Sequence, residues 1–493
     1  MSIKPSKKVS VIGAGVAGLA TSIRLAAKGY KVSVFEANDR AGGKLSEFTS
    51  DGFRFDMGPS LFTLPELVDE LFELSGKNPR AFFNYYKLDE SCRYFFEDGC
   101  SIIGYTDRDR FAKEAAEKTG VDSSNIIRFL KKSQFIYDST AYLFLEKSLH
   151  RFSSYLSVKV LMSFFKLPFL GVFTSMHKQN ESVLKNPKLV QLFDRYATYN
   201  GSNPYLAPAI LNIIPHLEFH KGAFFPKKGM YSIADSLYKL ALSQGVQFHF
   251  NSKVEEIIVS SGSVSAIKVN HELTDTDYVV CNMDVYFVYS NLLKRVALPR
   301  KIKNEERSTS ALIFYWGINA TFPQLDLHNI FFSNNYEKEF QTLSDGYSID
   351  DDPTIYINIT SKKQPTDAPV NCENWFVMVN TPSNNGQDWD DIIQQTKKNI
   401  LSKLNRILKT DIAPLIISED ILDPVRIESK TASFKGSLYG AASNKKMAAF
   451  FRHANFSKDI SGLFFCGGSV HPGGGIPLAL SSAKIVDGFF KHS

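Results

Sequence analysis

The chain has 493 residues, more than one compact core ordinarily holds, so its length calls for two or three domains. With 44% apolar and 22% charged residues it has the balance of a globular protein, which excludes an extensively disordered chain. The formal charge of +6 is mild and gains meaning only where basic residues cluster, so no nucleic-acid partner is expected.

In chain order, Val9 to Ile12 is a short apolar β-rich run followed directly by Gly13-Ala14-Gly15-Val16-Ala17-Gly18 and an Ala/Leu-rich helix ending near Gly29. Lys31 to Phe35 is the next strand, and Glu36 closes this β-α-β unit. A second glycine-basic turn, Arg40-Ala-Gly-Gly-Lys44, follows, and Phe53 to Phe62 reads as a strand running into a Gly-Pro turn. From about 76 to 225 the periodicity is mostly helical and aromatic, punctuated by Pro204, Pro208, Pro215 and Pro226, which predicts the first part of a substrate domain. Val246 to Val259, Val264 to Val269 and Tyr278 to Cys281 read as strands that return the chain to the nucleotide-binding domain. Residues 291 to 429 carry strand-like runs at Ala311 to Trp316, Ile355 to Ile359 and Phe376 to Val379, and Leu463 to Cys466 is a last strand before a helix from Pro477 to about Phe490. The expected domains are therefore discontinuous: 1–75, 226–290 and 430–493 form one, 76–225 and 291–429 the other.

Five cysteines, at 92, 100, 281, 372 and 466, form no CxxC pair, and their odd number fits reduced thiols in a cytoplasmic compartment, with no zinc site. The first strand starts within ten residues of Met1 without an apolar leader and small-residue cleavage site, so secretion is not expected. No stretch approaches the run of about 20 apolar residues that spans a bilayer, so a membrane role would be peripheral. Forty Phe and twenty-one Tyr suit a long apolar cavity, and an aromatic-rich core accounts for them equally well.

A pyrophosphate needs backbone N–H donors at close range and a helix N-terminus whose partial positive charge favours the anion. Gly13, Gly15 and Gly18 supply that turn, and Glu36 stands where a carboxylate bonds ribose hydroxyls and disfavours a 2′-phosphate, hence NADP. This motif does not separate NAD from FAD. The loop from Cys466 to Pro477, CGGSVHPGGGIP, does so: nearly free of side-chain bulk, it lets backbone approach a flat ligand, and the helix after it aims its dipole at a reduced flavin ring. His471 in this loop is a candidate catalytic residue, with ordering of the loop as the alternative role.

Together with Glu36, the Gly13–Gly18 turn, Arg40-Ala-Gly-Gly-Lys44, Phe55-Asp56-Met57-Gly58-Pro59-Ser60, Phe225-Pro226-Lys227-Lys228-Gly229-Met230 and the C-terminal GGSVHPGGGIP loop resemble the bacterial phytoene desaturase-type carotenoid desaturases. FDMGPSLFTLP and the whole-chain pattern are more similar to the hydroxycarotenoid 3,4-desaturase branch. Lys228 departs from the glycine common at that place, which bears on the shape of its loop. The resemblance implies an α/β fold: a Rossmann-like FAD-binding domain, a parallel sheet with helices, beside a discontinuous α+β substrate domain enclosing a hydrophobic tunnel. It implies that Gly13, Gly15, Val16, Ala17, Gly18, Glu36 and Ala37 hold the ADP half of FAD. Gly42, Gly43, Lys44, Gly58, Pro59 and Ser60 would lie by the flavin or its phosphates, and Gly468 and Pro472 to Ile476, Gly475 included, along the isoalloxazine. The implied reaction removes two hydrogens from an alkyl segment beside a polyene, one as hydride to the flavin and one as a proton, and requires no strong protein base. No general base is nominated, and no electron acceptor is named.

The expected reaction is 3,4-desaturation of a 1-hydroxy or 1′-hydroxy carotenoid, with phytoene desaturation as the alternative. Other readings are a flavin amine oxidase or protoporphyrinogen oxidase relative, a carotenoid isomerase using reduced FAD, and a lipid escort of the GDP-dissociation-inhibitor kind without flavin. Residues 147 to 178 carry Lys147, Arg151, Lys159, Lys166 and Lys178 and no acidic residue among many Phe, Leu and Met. If 154–167 is helical, Lys159, Ser163 and Lys166 share one stripe, which suits a helix lying peripherally on a membrane; a buried helix with snorkelling lysines is the alternative.

Overall fold

A computed structural model describes residues 6–155, 166–445, 448 and 451–492. Two sheets organise the chain. The first has five strands in the order Leu463–Phe465, Tyr278–Cys281, Lys8–Ile12, Lys31–Phe35, Gln247–His249, every neighbouring pair parallel. Such a sheet is buried on both faces, which is why its strands read as nearly continuous apolar runs. Val9, Val11, Val32 and Val34 pack against the helices Val16–Ala27, Tyr231–Ser243 and Ile476–Asp487. Ile12, Phe35, Val279 and Cys281 face the other way, onto a three-stranded antiparallel sheet of residues 254–275.

The stretch expected as one strand from Val246 to Val259 is two, Gln247–His249 and Val254–Ser260. Asn251 between them takes a left-handed backbone (φ 51°), and the N–H of Ser252 bonds the carbonyl of Glu36 at 2.8 Å. The break turns the chain from the parallel sheet into the antiparallel one.

The second sheet has seven strands, in the order Ile416–Leu422, Ser310–Ile318, Glu373–Thr381, Ile355–Ile359, His328–Phe331, Glu90–Phe95, Ser101–Tyr105. All its pairs are antiparallel except that of His328–Phe331 with Glu90–Phe95. Strands Tyr85–Lys87, Glu90–Phe95 and Ser101–Tyr105 lie in the segment whose periodicity reads as mostly helical. They are short, and they owe their stability to tertiary pairing: Glu90–Phe95 is fixed by the distant strand His328–Phe331. The helical part of that segment, including Arg108–Thr119, Ser123–Glu146, Met176–Leu184 and Pro187–Asp194, packs over the sheet around Phe111, Phe129, Phe193 and Phe219.

The middle motif has a structural explanation. Phe224–Pro226 pairs with Tyr85–Lys87, and the Asp56 carboxylate accepts the N–H groups of Met230 and Tyr231 at 3.0 and 2.9 Å, capping the helix Tyr231–Ser243. Lys228 is exposed, and Gly229 (φ 79°) makes the turn that its neighbour need not make. Of the proposed stripe, Lys159 and Ser163 lie outside the described residues, as do the surrounding Val158, Leu161, Met162, Phe164 and Phe165. Among the described residues no helix is long and apolar enough to cross a membrane.

Candidate active site

Between the sheets lies a cavity of about 1710 Å³. A cleft for one small molecule measures about 300–1,000 Å³, so this one has room for a cofactor and a second, long ligand. Its two ends differ in chemistry.

The nucleotide end is built by the glycine turn. Asn282, just past the strand Tyr278–Cys281, accepts the N–H groups of Gly15 and Gly18 through its side-chain oxygen at 3.1 Å. A Cβ on Gly13 would lie 2.7 Å from the carbonyl oxygen of Asn282, and one on Gly18 would strike the carbonyl of Gly13. These two glycines thus serve the protein's own close packing; Gly13, Gly15, Val16 and Ala17 line the cavity, and Gly18 is not among its lining residues. The helix Val16–Ala27 starts there with no side-chain cap on Gly15. Glu36 Oε2 accepts the Ala14 N–H at 2.7 Å, and Oε1 accepts the backbone and side-chain N–H of Asn38 at 2.9 and 2.8 Å. A carboxylate has about four acceptor positions, so the buried Glu36 keeps roughly one for a ribose hydroxyl.

Ala37, Gly42, Gly43, Lys44, Gly58, Pro59 and Ser60 line the same cavity, as do Gly468, Pro472, Gly475 and Ile476. The Lys44 ammonium donates to the carbonyl of Leu438 at 2.8 Å and, more weakly, to that of Ser437 at 3.4 Å; burial pushes its pKa down to about 8. A Cβ on Gly475 (φ 100°) would meet no protein atom within 4 Å. These features fit FAD: one carboxylate acceptor position, one half-buried cation without a carboxylate partner of its own, and a bare backbone where a flat ring would lie.

His471 takes the alternative role. It is fully buried and is not among the cavity-lining residues; its Nε2 donates to the Lys147 carbonyl at 3.0 Å, and burial pushes the ring's pKa down to about 4. It ties the C-terminal loop to the end of the helix Ser123–Glu146. Sequence reasoning missed a second tie, the buried Arg452, which donates to the carbonyls of Tyr439, Gly468 and Ala441 and to Asn200 Oδ1 at 2.8–3.2 Å. Neither Arg452 nor Asn282 belongs to a motif with fixed spacing, so neither carried a signal in the sequence.

The other end of the cavity is apolar: Tyr137, Phe144, Ile210 and Leu217 face Ile313, Ile330, Phe376 and Met378 of the seven-stranded sheet. Its polar groups are few, chiefly Arg195, Tyr199, His328 and Tyr356. The cavity-lining carboxylates are Glu36, Asp39, Glu47, Glu255, Asp284 and Glu428, none of them on the elements forming this end. Arg195 is buried against Tyr94 and Tyr199, to whose hydroxyls it donates at 3.1 and 2.9 Å, and Glu218 accepts from Tyr196 and Tyr199.

A dinucleotide-binding parallel sheet, a glycine-lined cleft and an apolar chamber opening from it define a two-domain, dinucleotide-dependent oxidoreductase. The sequence pattern of the flavin-containing amine oxidoreductases matches residues 16–486, and the chain belongs to that family; FAD is its cofactor. It is 51% identical over 479 residues to the 1-hydroxycarotenoid 3,4-desaturase of Flavobacterium sp. (strain P99-3), covering 97% of this chain and 98% of that one. It is 34% identical to the 4,4'-diapolycopene oxygenase of Methylomonas sp, covering 99% and 98%. In fold it is similar to an oxidoreductase from Methanosarcina mazei, with a TM-score of 0.63 at 15% identity over 97% of this chain and 98% of that one. The resemblance drawn from the motifs, to carotenoid desaturases of the hydroxycarotenoid branch, is the one these relatives support.

Proposed function

We propose that this enzyme introduces a double bond between C3 and C4 of a 1-hydroxylated acyclic carotenoid end. The observation that carries the reading is a single cavity, too large for the cofactor alone, that runs from a glycine-lined cradle into an apolar, carboxylate-free chamber. An almost entirely hydrocarbon ligand gains about 0.8 kcal/mol for each CH₂ it buries, which such a wall supplies. The identity to the Flavobacterium desaturase supports the choice of substrate.

Bound FAD supplies the two-electron oxidant. Around it, Gly43, Lys44, Gly58 and Pro59 would hold the cofactor from one side and the Gly468–Ile476 loop from the other, while Gly13, Gly15 and Glu36 would hold its ADP half. The apolar wall excludes water and aligns the polyene end. The conjugated chain would spread the positive charge that develops as hydride leaves, and with no carboxylate on this wall the proton from the neighbouring carbon would pass to water at the open side of the cavity.

The test is a parallel incubation of the purified, FAD-loaded protein with phytoene and with a 1-hydroxylated carotene. Conversion of the hydroxylated substrate to a product absorbing at longer wavelength is expected; conversion of phytoene with the hydroxylated substrate untouched would reject it. The same reading places the enzyme in the cytoplasm, peripherally on a membrane, where its substrate dissolves. The exposed Phe169 (69%) and Phe173 (73%), within the acid-free stretch 147–178, support that placement.

A further inference from the structure

His328 opens the strand His328–Phe331, lines the cavity and is only 3% exposed. Its two ring nitrogens have different surroundings. Nδ1 lies 2.7 Å from the Tyr356 hydroxyl and 3.2 Å from Asn358 Nδ2. The Asn358 amide nitrogen also donates to the Leu327 carbonyl at 2.9 Å, which fixes the orientation of the amide. An amide nitrogen only donates, so Nδ1 must accept, and the ring proton of the neutral imidazole sits on Nε2. Burial keeps the ring neutral, with a pKa near 3. The Tyr356 hydroxyl in turn lies 2.6 Å from Ser60 Oγ, so a chain of hydroxyls running from Ser60 to Tyr356 can end on Nδ1 and make Nε2–H a stronger donor.

Nε2 itself is shielded from water and has no hydrogen-bond partner. Among the described cavity-lining residues, Arg195 Nε is the other buried donor left without a partner. Nothing in the cofactor site or in the wall of the chamber uses His328 Nε2.

Position ties this donor to the reaction. Ser60 directly follows Gly58 and Pro59, which line the cavity where the cofactor is read to lie. In a 1-hydroxylated chain the oxygen is three bonds from C3, hence no more than about 4 Å away at about 1.5 Å per bond. The group that recognises the hydroxyl must therefore stand close to the reacting carbons, beside the flavin rather than at the remote end of the tunnel. His328 is the cavity-lining group that combines an unused donor with a hydrogen-bonded link to the Gly58–Ser60 loop.

We infer that His328 selects the hydroxylated substrate end: a turn of the ring toward the cavity it lines lets its Nε2–H donate to the C1 hydroxyl oxygen and so sets C3 and C4 beside the cofactor. This rests on the 1-hydroxycarotenoid reading proposed above. A hydrocarbon end would leave the donor unpaired, and a site that hydrogen-bonds a substrate hydroxyl rejects the analogue lacking it far more strongly than an apolar wall distinguishes chain lengths.

The experiment compares wild type and His328→Phe, both FAD-loaded, on a 1-hydroxylated carotene and on the same chain without the hydroxyl. Wild type is expected to prefer the hydroxylated chain by at least about 100-fold in kcat/KM. In His328→Phe, turnover of the hydroxylated chain should fall by about that factor while the hydrocarbon's holds or rises, bringing the ratio near one. A variant that retains FAD and the wild-type preference would overturn the inference and leave the reaction assignment standing. A wild type that does not convert the hydroxylated chain would remove the reaction assignment and this inference together. Should the variant not fold, imidazole ¹⁵N spectra of wild type decide: the His328 Nε2 resonance should shift on adding the hydroxylated chain and not on adding the hydrocarbon. An unmoved resonance would overturn the inference.

Discussion

Glu36 Oε2 accepts the backbone N–H of Ala14 at 2.7 Å, so the residue expected to hold a ribose also holds the glycine turn in place. Glu36→Ala removes both functions at once. FAD affinity is expected to fall by the roughly 1.5–3 kcal/mol of a charge-assisted hydrogen bond, about 10- to 150-fold, with the loosened turn adding to it. Flavin absorbance retained after dialysis measures the loss. A purified wild type with no flavin absorbance, and none regained on adding FAD, would contradict the cofactor assignment.

Lys44 should make FAD binding pH-dependent. Burial lowers its pKa in the FAD-free protein from 10.5 to about 8. Between those values the unfolded chain binds more protons than the folded one, so the FAD-free protein should gain stability as pH rises through that window. The cofactor's negative charge favours the protonated amine, so FAD affinity should fall as pH rises above 8. Lys44→Met should flatten both dependences. Flavin fluorescence titrations and melting curves of the FAD-free protein between pH 7 and about 10 test the two signs.

Gly475 and Gly76 can be compared: both have positive φ, 100° and 66°, and a Cβ on either would meet no protein atom within 4 Å, but only Gly475 lines the cavity. Alanine incurs backbone strain at both, roughly 1–2 kcal/mol at Gly76 and more at Gly475, whose ψ of 153° lies where essentially only glycine goes. Only Gly475→Ala is expected to shed FAD as well. Equal flavin retention in the two variants would argue that the C-terminal loop does not face the cofactor.

The membrane proposal is tested on charge. Lys159→Glu with Lys166→Glu should reduce sedimentation with anionic liposomes, since each basic residue near such a surface contributes about 1 kcal/mol. Unchanged sedimentation would assign the segment to the protein interior.

The nucleotide end of the site was legible because one β-α-β unit carries its whole signal: Gly13, Gly15, Gly18 and Glu36 sit at fixed offsets between periodic segments. The C-terminal glycines were legible for the same local reason. Glu90–Phe95 was not, since its pairing with His328–Phe331 joins segments far apart in the chain. His328 was invisible for a further reason. Its tautomer is set by Asn358, and its link to the Gly58–Ser60 loop by Tyr356 and Ser60, so an isolated histidine showed nothing of the arrangement. Gly18 was recognised, but its work is packing against Gly13 rather than lining the cavity.

The strand order of the parallel sheet has a consequence for biogenesis. Lys8–Ile12 is made well before Tyr278–Cys281, its neighbour on one side, and before Leu463–Phe465 beyond that. During synthesis, at about 5–20 residues per second, the apolar N-terminal unit waits with an unpaired edge until those distant strands emerge. The loop that closes the cofactor cradle, Cys466 to Pro477, comes later still. The cofactor cradle is therefore complete only after the C-terminal loop has been made.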